Sequence, residues 1–221
     1  MNHNAGFSVH ANVFPRARMI ELAGILDRAE LVRTKAGARH VMRVPEVRAL
    51  ANEDGLLTIA REYLGPSAFS FRATLFDKSL RANWLVAWHQ DTALPLRELR
   101  EANGWGPWTV KGDVLHAIAP ASALEQIVAL RVHLDDSTLE NGPLRVLPGT
   151  HTSGVLSGPQ IESELAHVTP VDCIVDAGGV IAMRPLLLHA SSKGMSPLPR
   201  RVLHFEYAST GRFASGPELA I

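Results

Sequence analysis

The sequence predicts a mostly β protein with flanking helices, laid out as an antiparallel sandwich or barrel. Three observations carry this. Between about residues 15 and 65 the apolar residues recur at helical spacing. From about 68 to 208 they fall instead into short runs separated by turn residues. No internal repeat, low-complexity tract or linker divides the 221 residues, and an all-β unit of this size commonly stays undivided. Residues 1–221 are therefore expected to form one domain, helical at about 15–65 with a β core at about 68–208.

Taken in order, RARMIELAGILDRAEL places Met19, Leu22, Ile25 and Leu26 on one helical stripe. VPEVRALANEDGLLTIAREYLG repeats the pattern, with Pro45 suited to a helix start and Gly65 to its stop. The β-like runs are AFSFRATLFD, WLVAWH, QIVALRVHLDD, GPLRVLPG, PVDCIVDAGGVIAMRP, LLLHASS and RRVLHFEYAS. ENGP (Glu140 to Pro143) and DAGG (Asp176 to Gly179) are hairpin signals. The segment from Thr92 to Ala123 fits neither texture, being broken by Pro and Gly and weakly periodic around Trp105 and Trp108. A connection this long reads as a mobile lid over a site, with a long surface excursion as the plainer alternative.

Composition narrows the function classes. The chain is 46% apolar and 20% charged, as ordinary globular proteins are. Its 22 basic residues balance 22 acidic ones, so no charge excess argues for nucleic acid or an anionic membrane. The opening MNHNAGFSVH lacks the pattern of a secretory signal, and no apolar run approaches the roughly 20 residues of a membrane span. The lone Cys173, in VDCIV, reads as a small buried hydrophobe. A soluble, cytoplasmic protein fits these features.

The chemistry begins at WLVAWHQD, an apolar strand that ends in two metal-ligand side chains, His89 and Asp91. With ten histidines in the chain, about 0.4 His-x-Asp pairs are expected by chance, and a second one occurs at His133–Asp135. A pair alone decides nothing. Two histidines and one carboxylate on one face of iron, however, leave positions open for co-substrate and dioxygen. His189 closes the apolar strand in MRPLLLHASS, and Arg200 opens the next strand eleven residues later. If SSKGMSPLP is a hairpin loop, Arg200 lies on the strand beside His189 and offers a planar fork to a carboxylate.

The stretches LFDKSLRANWLVAWHQD, LENGPLRVLPGTH, GGVIAMRPLLLHASS and RRVLHFEY resemble the phytanoyl-CoA dioxygenase family of Fe(II)- and 2-oxoglutarate-dependent oxygenases, relatives of ectoine hydroxylase. The resemblance covers about Phe69 to Ala208 and implies a double-stranded β-helix, a cupin-like jelly roll backed by helices. It implies His89, Asp91 and His189 as iron ligands and Arg200, rather than Arg201, as the clamp for the distal carboxylate of 2-oxoglutarate. The reaction implied is hydroxylation of an unactivated C–H bond with dioxygen, releasing succinate and carbon dioxide. Asp91 favours hydroxylation over halogenation, because related halogenases lack that carboxylate.

The same resemblance puts Arg131 and Thr74 near the co-substrate. In QIVALRVHLDD, Arg131, His133 and Asp135 share a face that is either solvated or the polar interior of a site, and an Arg131–Asp135 salt bridge is the plainer alternative. Gln90 is counted with the co-substrate-binding residues, and between the two ligands it should point away from the metal toward a supporting contact. Trp105, Trp108 and His116 are the candidate substrate contacts. A cupin-like metal hydrolase or isomerase and a non-catalytic small-molecule sensor are the rival readings; neither gives Arg200 a task as clear as a co-substrate clamp.

Overall fold

The computed structural model describes residues 3–79, 82–214 and 216–221. In chain order the elements are β1 (Phe7–His10), α1 (Arg16–Arg28), β2 (Arg33–Thr34), β3 (Gly37–Ala38), α2 (Pro45–Ala51), α3 (Asp54–Leu64) and β4 (Phe69–Lys78). Then follow β5 (Val86–His89), β6 (Ala93–Leu96), β7 (Trp108–Lys111), β8 (Val114–Ile118), α4 (Ala121–Leu124), β9 (Ile127–His133) and β10 (Leu144–Val146). The chain closes with α5 (Gly158–His167), β11 (Val171–Cys173), β12 (Val180–Met183), β13 (His189–Ser191) and β14 (Arg200–Ala208).

Two antiparallel sheets make the jelly roll. The larger has the strand order β1-β12-β9-β14-β4-β3-β2 and the smaller β11-β10-β13-β5. From β9 onward the chain crosses repeatedly between them: β9, β12 and β14 belong to the large sheet, and β10, β11 and β13 to the small one. This corrects the three expected hairpins. ENGP forms a short 3-10 turn at Leu139–Asn141, and Gly142 at φ 69° carries the chain from β9 across to β10. DAGG carries it back from β11 to β12, and SSKGMSPLP joins β13 to β14 in the opposite sheet. Turn residues encode a reversal, but not the sheet in which the reversed strand finds its partner. Gly178 is required for such a crossing: its φ is 91°, and a Cβ there would stand 2.0 Å from the Phe14 carbonyl oxygen.

Strand alternation gives the large sheet two different faces. Leu75, Val128, Leu130, Val132, Leu203 and Phe205 point outward into a core filled by Met19, Leu22 and Leu26 of α1, Val47 and Leu50 of α2, and Leu56 and Ile59 of α3. The stripe predicted on α1 is the one buried, with Ile25 partly buried at its margin. The run from Pro45 to Gly65 is two helices rather than one, interrupted at Asn52 and Glu53, where the Leu56 and Leu57 amides bond the Glu53 carbonyl. The break lets both short helices lay their apolar stripes on the same curved sheet. Tyr207 ties this layer to the sheet through a 2.6 Å hydrogen bond from its hydroxyl to the Ala51 carbonyl. Cys173 is buried, as expected of a small hydrophobe. None of the described helices is long and apolar enough to cross a membrane.

The segment expected to be an irregular lid is a third antiparallel sheet, ordered β6-β8-β7. Its β7–β8 turn is a two-residue loop, Gly112 and Asp113, with φ of 56° and 64°. Positive φ at both positions matches the twist of a tight hairpin. Trp105 and Trp108 pack with Phe71, Leu94, Leu96 and Phe213 in a second apolar cluster, and the Trp105 and Phe213 rings lie 5.3 Å apart. These indoles fasten the sheet to Phe71 of β4 and to Phe213, and neither lines the cavity beside Asp91. Aromatic content and broken periodicity suggested a lid, yet the same features serve a small sheet that buries one face.

Because β8 is the central strand of this sheet, its amides should exchange at least about a hundredfold more slowly than the amides of the Gly112–Asp113 tip. Fast, uniform exchange across residues 93–118 in the substrate-free protein would restore the mobile lid.

Candidate active site

His89 and His189 are cross-strand neighbours, the paired residues where β5 meets β13. Their rings lie 4.2 Å apart, centroid to centroid. Each imidazole donates from Nδ1 to the backbone carbonyl two residues earlier, His89 to Ala87 at 2.8 Å and His189 to Leu187 at 2.9 Å. A carbonyl can only accept, so the proton sits on Nδ1 and both Nε2 lone pairs are left available. Both Nε2 atoms point at Asp91: His89 Nε2 to Oδ1 is 3.7 Å and His189 Nε2 to Oδ2 is 3.5 Å. The three donors lie within 4.8 Å of one another, close enough to share a metal ion.

Asp91 is held from behind. Its amide donates to the Pro185 carbonyl at 2.9 Å. Gln90 uses all its polar capacity on backbone, donating to Gly154 and Leu186 carbonyls at 2.8 and 2.7 Å and accepting from the Leu156 amide at 2.8 Å. Gln90 thus braces the strand end that carries the ligands, the supporting contact expected of it, with its amide committed to protein rather than to a co-substrate. Removal from water disfavours the Asp91 charge, but His189, His204, His89 and Arg131 outweigh that and keep the carboxyl below the ordinary carboxylate range. Burial pushes His189 down to about 4, so it is neutral and ready to ligate at neutral pH.

Opposite the triad, the inner face of the large sheet is polar. Across the β4–β14 ladder it pairs Arg72 with Glu206, Thr74 with His204, Phe76 with Val202 and Lys78 with Arg200. The last row sets two cations directly opposite each other, an arrangement that is unfavourable by itself. Both residues are only 3% exposed. Lys78 Nζ donates to Ser191 Oγ at 2.7 Å and to the Ser192 carbonyl at 2.6 Å, and lies 5.3 Å above the Trp84 ring. Arg200 reaches the Asn141 carbonyl and Ser191 Oγ, both at 3.3 Å, and its Nη1 is buried with no partner among the described residues. Neither cation has a carboxylate partner among them. Burial, then the neighbouring guanidinium groups, pushes Lys78 to about 8 and Arg200 to about 9.

Arg131 and His133 face this interior too, which settles the orientation of β9. The Arg131–Asp135 salt bridge does not form. Asp135 instead accepts from the Arg201 amide and guanidinium at 2.8–2.9 Å, while Arg131 meets His204 Nδ1 at 3.2 Å and stacks on Phe76 at 5.2 Å. Arg201 is therefore occupied on the other face of the strand, consistent with the choice of Arg200. His133 is fully buried, has both ring nitrogens unpartnered among the described residues, and stands apart from the metal cluster.

Beside Asp91 opens a cavity of about 840 Å³, with Thr74, Gln90, His116, His204 and Glu206 in its wall. Thr74 and His116 are thus brought to the site, whereas Trp105 and Trp108 are not. His116 Nδ1 donates to the Val114 carbonyl at 3.0 Å, and Nε2 accepts from Arg72 Nη1 at 3.3 Å. Arg72 also forks onto Glu206 through two donors. Sequence reasoning missed Lys78, His204 and this Arg72–Glu206 pair. The face shared by Arg72, Thr74 and Phe76 continues two residues on to Lys78, so strand alternation held the signal for the lysine. His204 and Glu206 look like ordinary strand residues until β14 is paired with β4.

A family model described as Phytanoyl-CoA dioxygenase (PhyH) matches residues 27–202. L-proline trans-4-hydroxylase of Streptomyces griseoviridis is 25% identical over 178 residues, 69% of this chain and 59% of its own length, so the chain spans less than two thirds of that relative. Among solved structures, apo EctD from S. alaskensis superposes with a TM-score of 0.71 at 20% identity, covering 93% of this chain and 73% of its own. HygX from Streptomyces hygroscopicus, solved with nickel and 2-oxoglutarate bound, gives 0.68 at 19% identity, covering 96% and 85%. These likenesses show the jelly-roll fold.

Two outcomes are expected of the site itself. His89→Ala, Asp91→Ala and His189→Ala should each abolish tight iron(II) binding, whereas His133→Ala should leave it largely intact, because among the described residues the first three share a donor cluster and His133 stands outside it. Equilibrium dialysis against iron(II) under nitrogen decides this, and metal loss in His133→Ala with retention in His89→Ala would mean the wrong pair. The second concerns acid. His133, His204 and His189 are buried neutral, with pKa values pushed by burial from 6.5 to about 3, about 3 and about 4. Below pH 6.5 the unfolded chain therefore binds protons that the folded chain does not, and stability falls as pH falls. Each histidine contributes up to about 1.4 kcal/mol per pH unit. The urea midpoint of the metal-free protein should drop between pH 7 and pH 5 and drop less in His204→Gln; a midpoint independent of pH would contradict it.

Proposed function

The chain belongs to the phytanoyl-CoA dioxygenase family, and from that premise we propose that it is an iron(II)- and 2-oxoglutarate-dependent dioxygenase. Its reaction would hydroxylate an unactivated C–H bond of a small molecule and release succinate and carbon dioxide. One observation carries this reading: the His89–Asp91–His189 donor cluster faces a buried Lys78–Arg200 row that lacks any carboxylate among the described residues. A co-substrate with a metal-binding keto acid at one end and a second carboxylate at the other satisfies both halves. EctD solved with bound Fe, and HygX with 2-oxoglutarate, support the same assignment.

His89 and His189 would hold iron through Nε2 and Asp91 through its carboxylate, leaving positions open on one side. When bound, the metal supplies activation of dioxygen at the expense of the keto acid. The chain's own residues supply binding and orientation. Arg200 would bind the distal carboxylate with its unpartnered Nη1 and adjacent donors, and Lys78 would add a second positive charge beside it. The hydroxyl of Ser191, which already accepts from both cations, fixes their spacing. The Phe76–Val202 and Thr74–His204 rows separate this clamp from the Arg72–Glu206 end, so co-substrate and substrate would approach the triad from opposite ends of one ladder.

The rival readings fit less well. A cupin-like hydrolase or isomerase with the same ligands would leave Lys78 and Arg200 without a counter-charge, and a sensor would not turn 2-oxoglutarate over. Succinate release in the presence of iron(II) separates the three.

Arg200→Ala should weaken 2-oxoglutarate by on the order of 2–5 kcal/mol, roughly 30-fold to several thousand-fold, because it leaves a buried carboxylate unpaired. Arg200→Lys should recover part of this, lacking the bidentate fork. Lys78→Met should weaken binding less than Arg200→Ala. Arg201→Ala should spare affinity and cost stability, since its partners are Asp135 and Asp27. Titration of 2-oxoglutarate into the iron-loaded variants under nitrogen, by the metal-to-ligand absorption band, measures all four; unchanged affinity in Arg200→Ala removes 2-oxoglutarate from the reading.

A further inference from the structure

The cavity beside Asp91 has a charge imbalance. Its described lining side chains include four cations, Arg39, Arg43, Arg72 and Lys111, and two carboxylates, Asp91 and Glu206. Arg72 is consumed by Glu206, and Asp91 belongs to the donor cluster. Arg39, Arg43 and Lys111 are exposed and have no carboxylate partner among the described residues. They lie on two segments that meet at the cavity mouth: residues 39–43 before α2, and the β7–β8 hairpin. Contact between the two is close, since a Cβ on Gly112 would lie 3.9 Å from His40 Nε2.

The interior adds to the imbalance, and here the inference rests on the function proposed above. Lys78, Arg131 and Arg200 bring three positive charges without carboxylate partners among the described residues. Iron(II) on Asp91 leaves one more, and 2-oxoglutarate supplies two negative charges. The loaded centre thus keeps an excess of two positive charges in a poorly solvated space, where electrostatic interactions are strong. A cationic or neutral substrate would leave that excess uncompensated.

We propose that the substrate is an anionic small molecule, whose carboxylate or phosphate is held at the mouth by Arg39, Arg43 and Lys111. Its less polar part runs past Met42, Phe71 and Phe76 toward Asp91. A cavity of about 840 Å³ accepts a ligand of drug-like size. The hairpin carrying Lys111 then acts as a specificity element, not as a moving cover.

The test uses protein loaded with iron(II) and saturating 2-oxoglutarate under nitrogen, so that the clamp around Arg200 is already filled. Alkanoates and alkyl phosphates of six to ten carbons, on the order of the cavity's reach, are titrated against the matching amides and alcohols, reading perturbation of the metal-to-ligand band. At least one acid series should bind about tenfold or more tighter than its neutral partners, and the preference should shrink with added salt. Which series wins identifies carboxylate or phosphate. The combined Arg39→Gln, Arg43→Gln and Lys111→Gln variant should lose that preference while 2-oxoglutarate affinity and melting temperature stay unchanged. No preference for the acid in either series, or a preference that survives in the variant, overturns the inference and makes the mouth an ordinary solvated surface. Failure of wild-type protein to bind 2-oxoglutarate is a different result, and it overturns the proposed function instead.

Discussion

Positive charge buried without matching negative charge sets how the two faces of the large sheet divide their work. Lys78, Arg131 and Arg200 lie buried on neighbouring strands, and none has a carboxylate partner among the described residues. Taking such groups out of water costs several kcal/mol apiece even after relaxation. The inner face of the large sheet therefore cannot be a source of stability at its polar end. That duty passes to the outer face, where α1, α2 and α3 cover Leu75, Leu130, Leu203 and Phe205, and to a smaller apolar cluster between the sheets around Val146, Ile181 and Leu187.

The protein limits the cost with local polar contacts that do not cancel the charge. Ser191 and the Ser192 carbonyl accept from Lys78, the Asn141 carbonyl accepts from Arg200, and the Phe76 ring lies under Arg131. Hydrogen bonds of this kind solvate a cation without neutralising it, so the field remains available to a bound anion. By contrast, Arg201 and Arg72 have bidentate carboxylate partners and contribute structure. Adjacent arginines at 200 and 201 thus take opposite roles because the pleat sends one inward and the other toward Asp135.

The metal donors are arranged by the second sheet under a different rule. A direct cross-strand pairing brings His89 and His189 together, and the backbone carbonyls of Ala87 and Leu187 fix both ring tautomers. Asp91 follows the strand end and is steadied through Gln90 and Pro185. Rigid strands from two sheets therefore face each other with donors on one side and cations on the other, and the third sheet walls the space between them from the side. The indoles of Trp105 and Trp108 serve that wall.

Much of the site was legible in the sequence because its parts are local. His-Gln-Asp at a strand end, a histidine closing another strand and an arginine eleven residues on are short-range patterns, and α1 could be placed by its apolar period. Strand pairing was not legible. ENGP, DAGG and SSKGMSPLP specify where the chain turns, but whether the next strand joins the same sheet or the facing one depends on contacts far away in sequence. For the same reason Lys78 opposite Arg200, Thr74 opposite His204 and Arg72 opposite Glu206 appear only once β14 is in register with β4. Side-chain identity and local periodicity were enough to pick out the candidate metal donors and the strand ends that carry them. Which face of β9 lies inside, the packing of the Trp-bearing segment as a sheet, and the gathering of buried cations without acids among the described residues all depend on register and burial across distant strands, and so emerge from the folded chain.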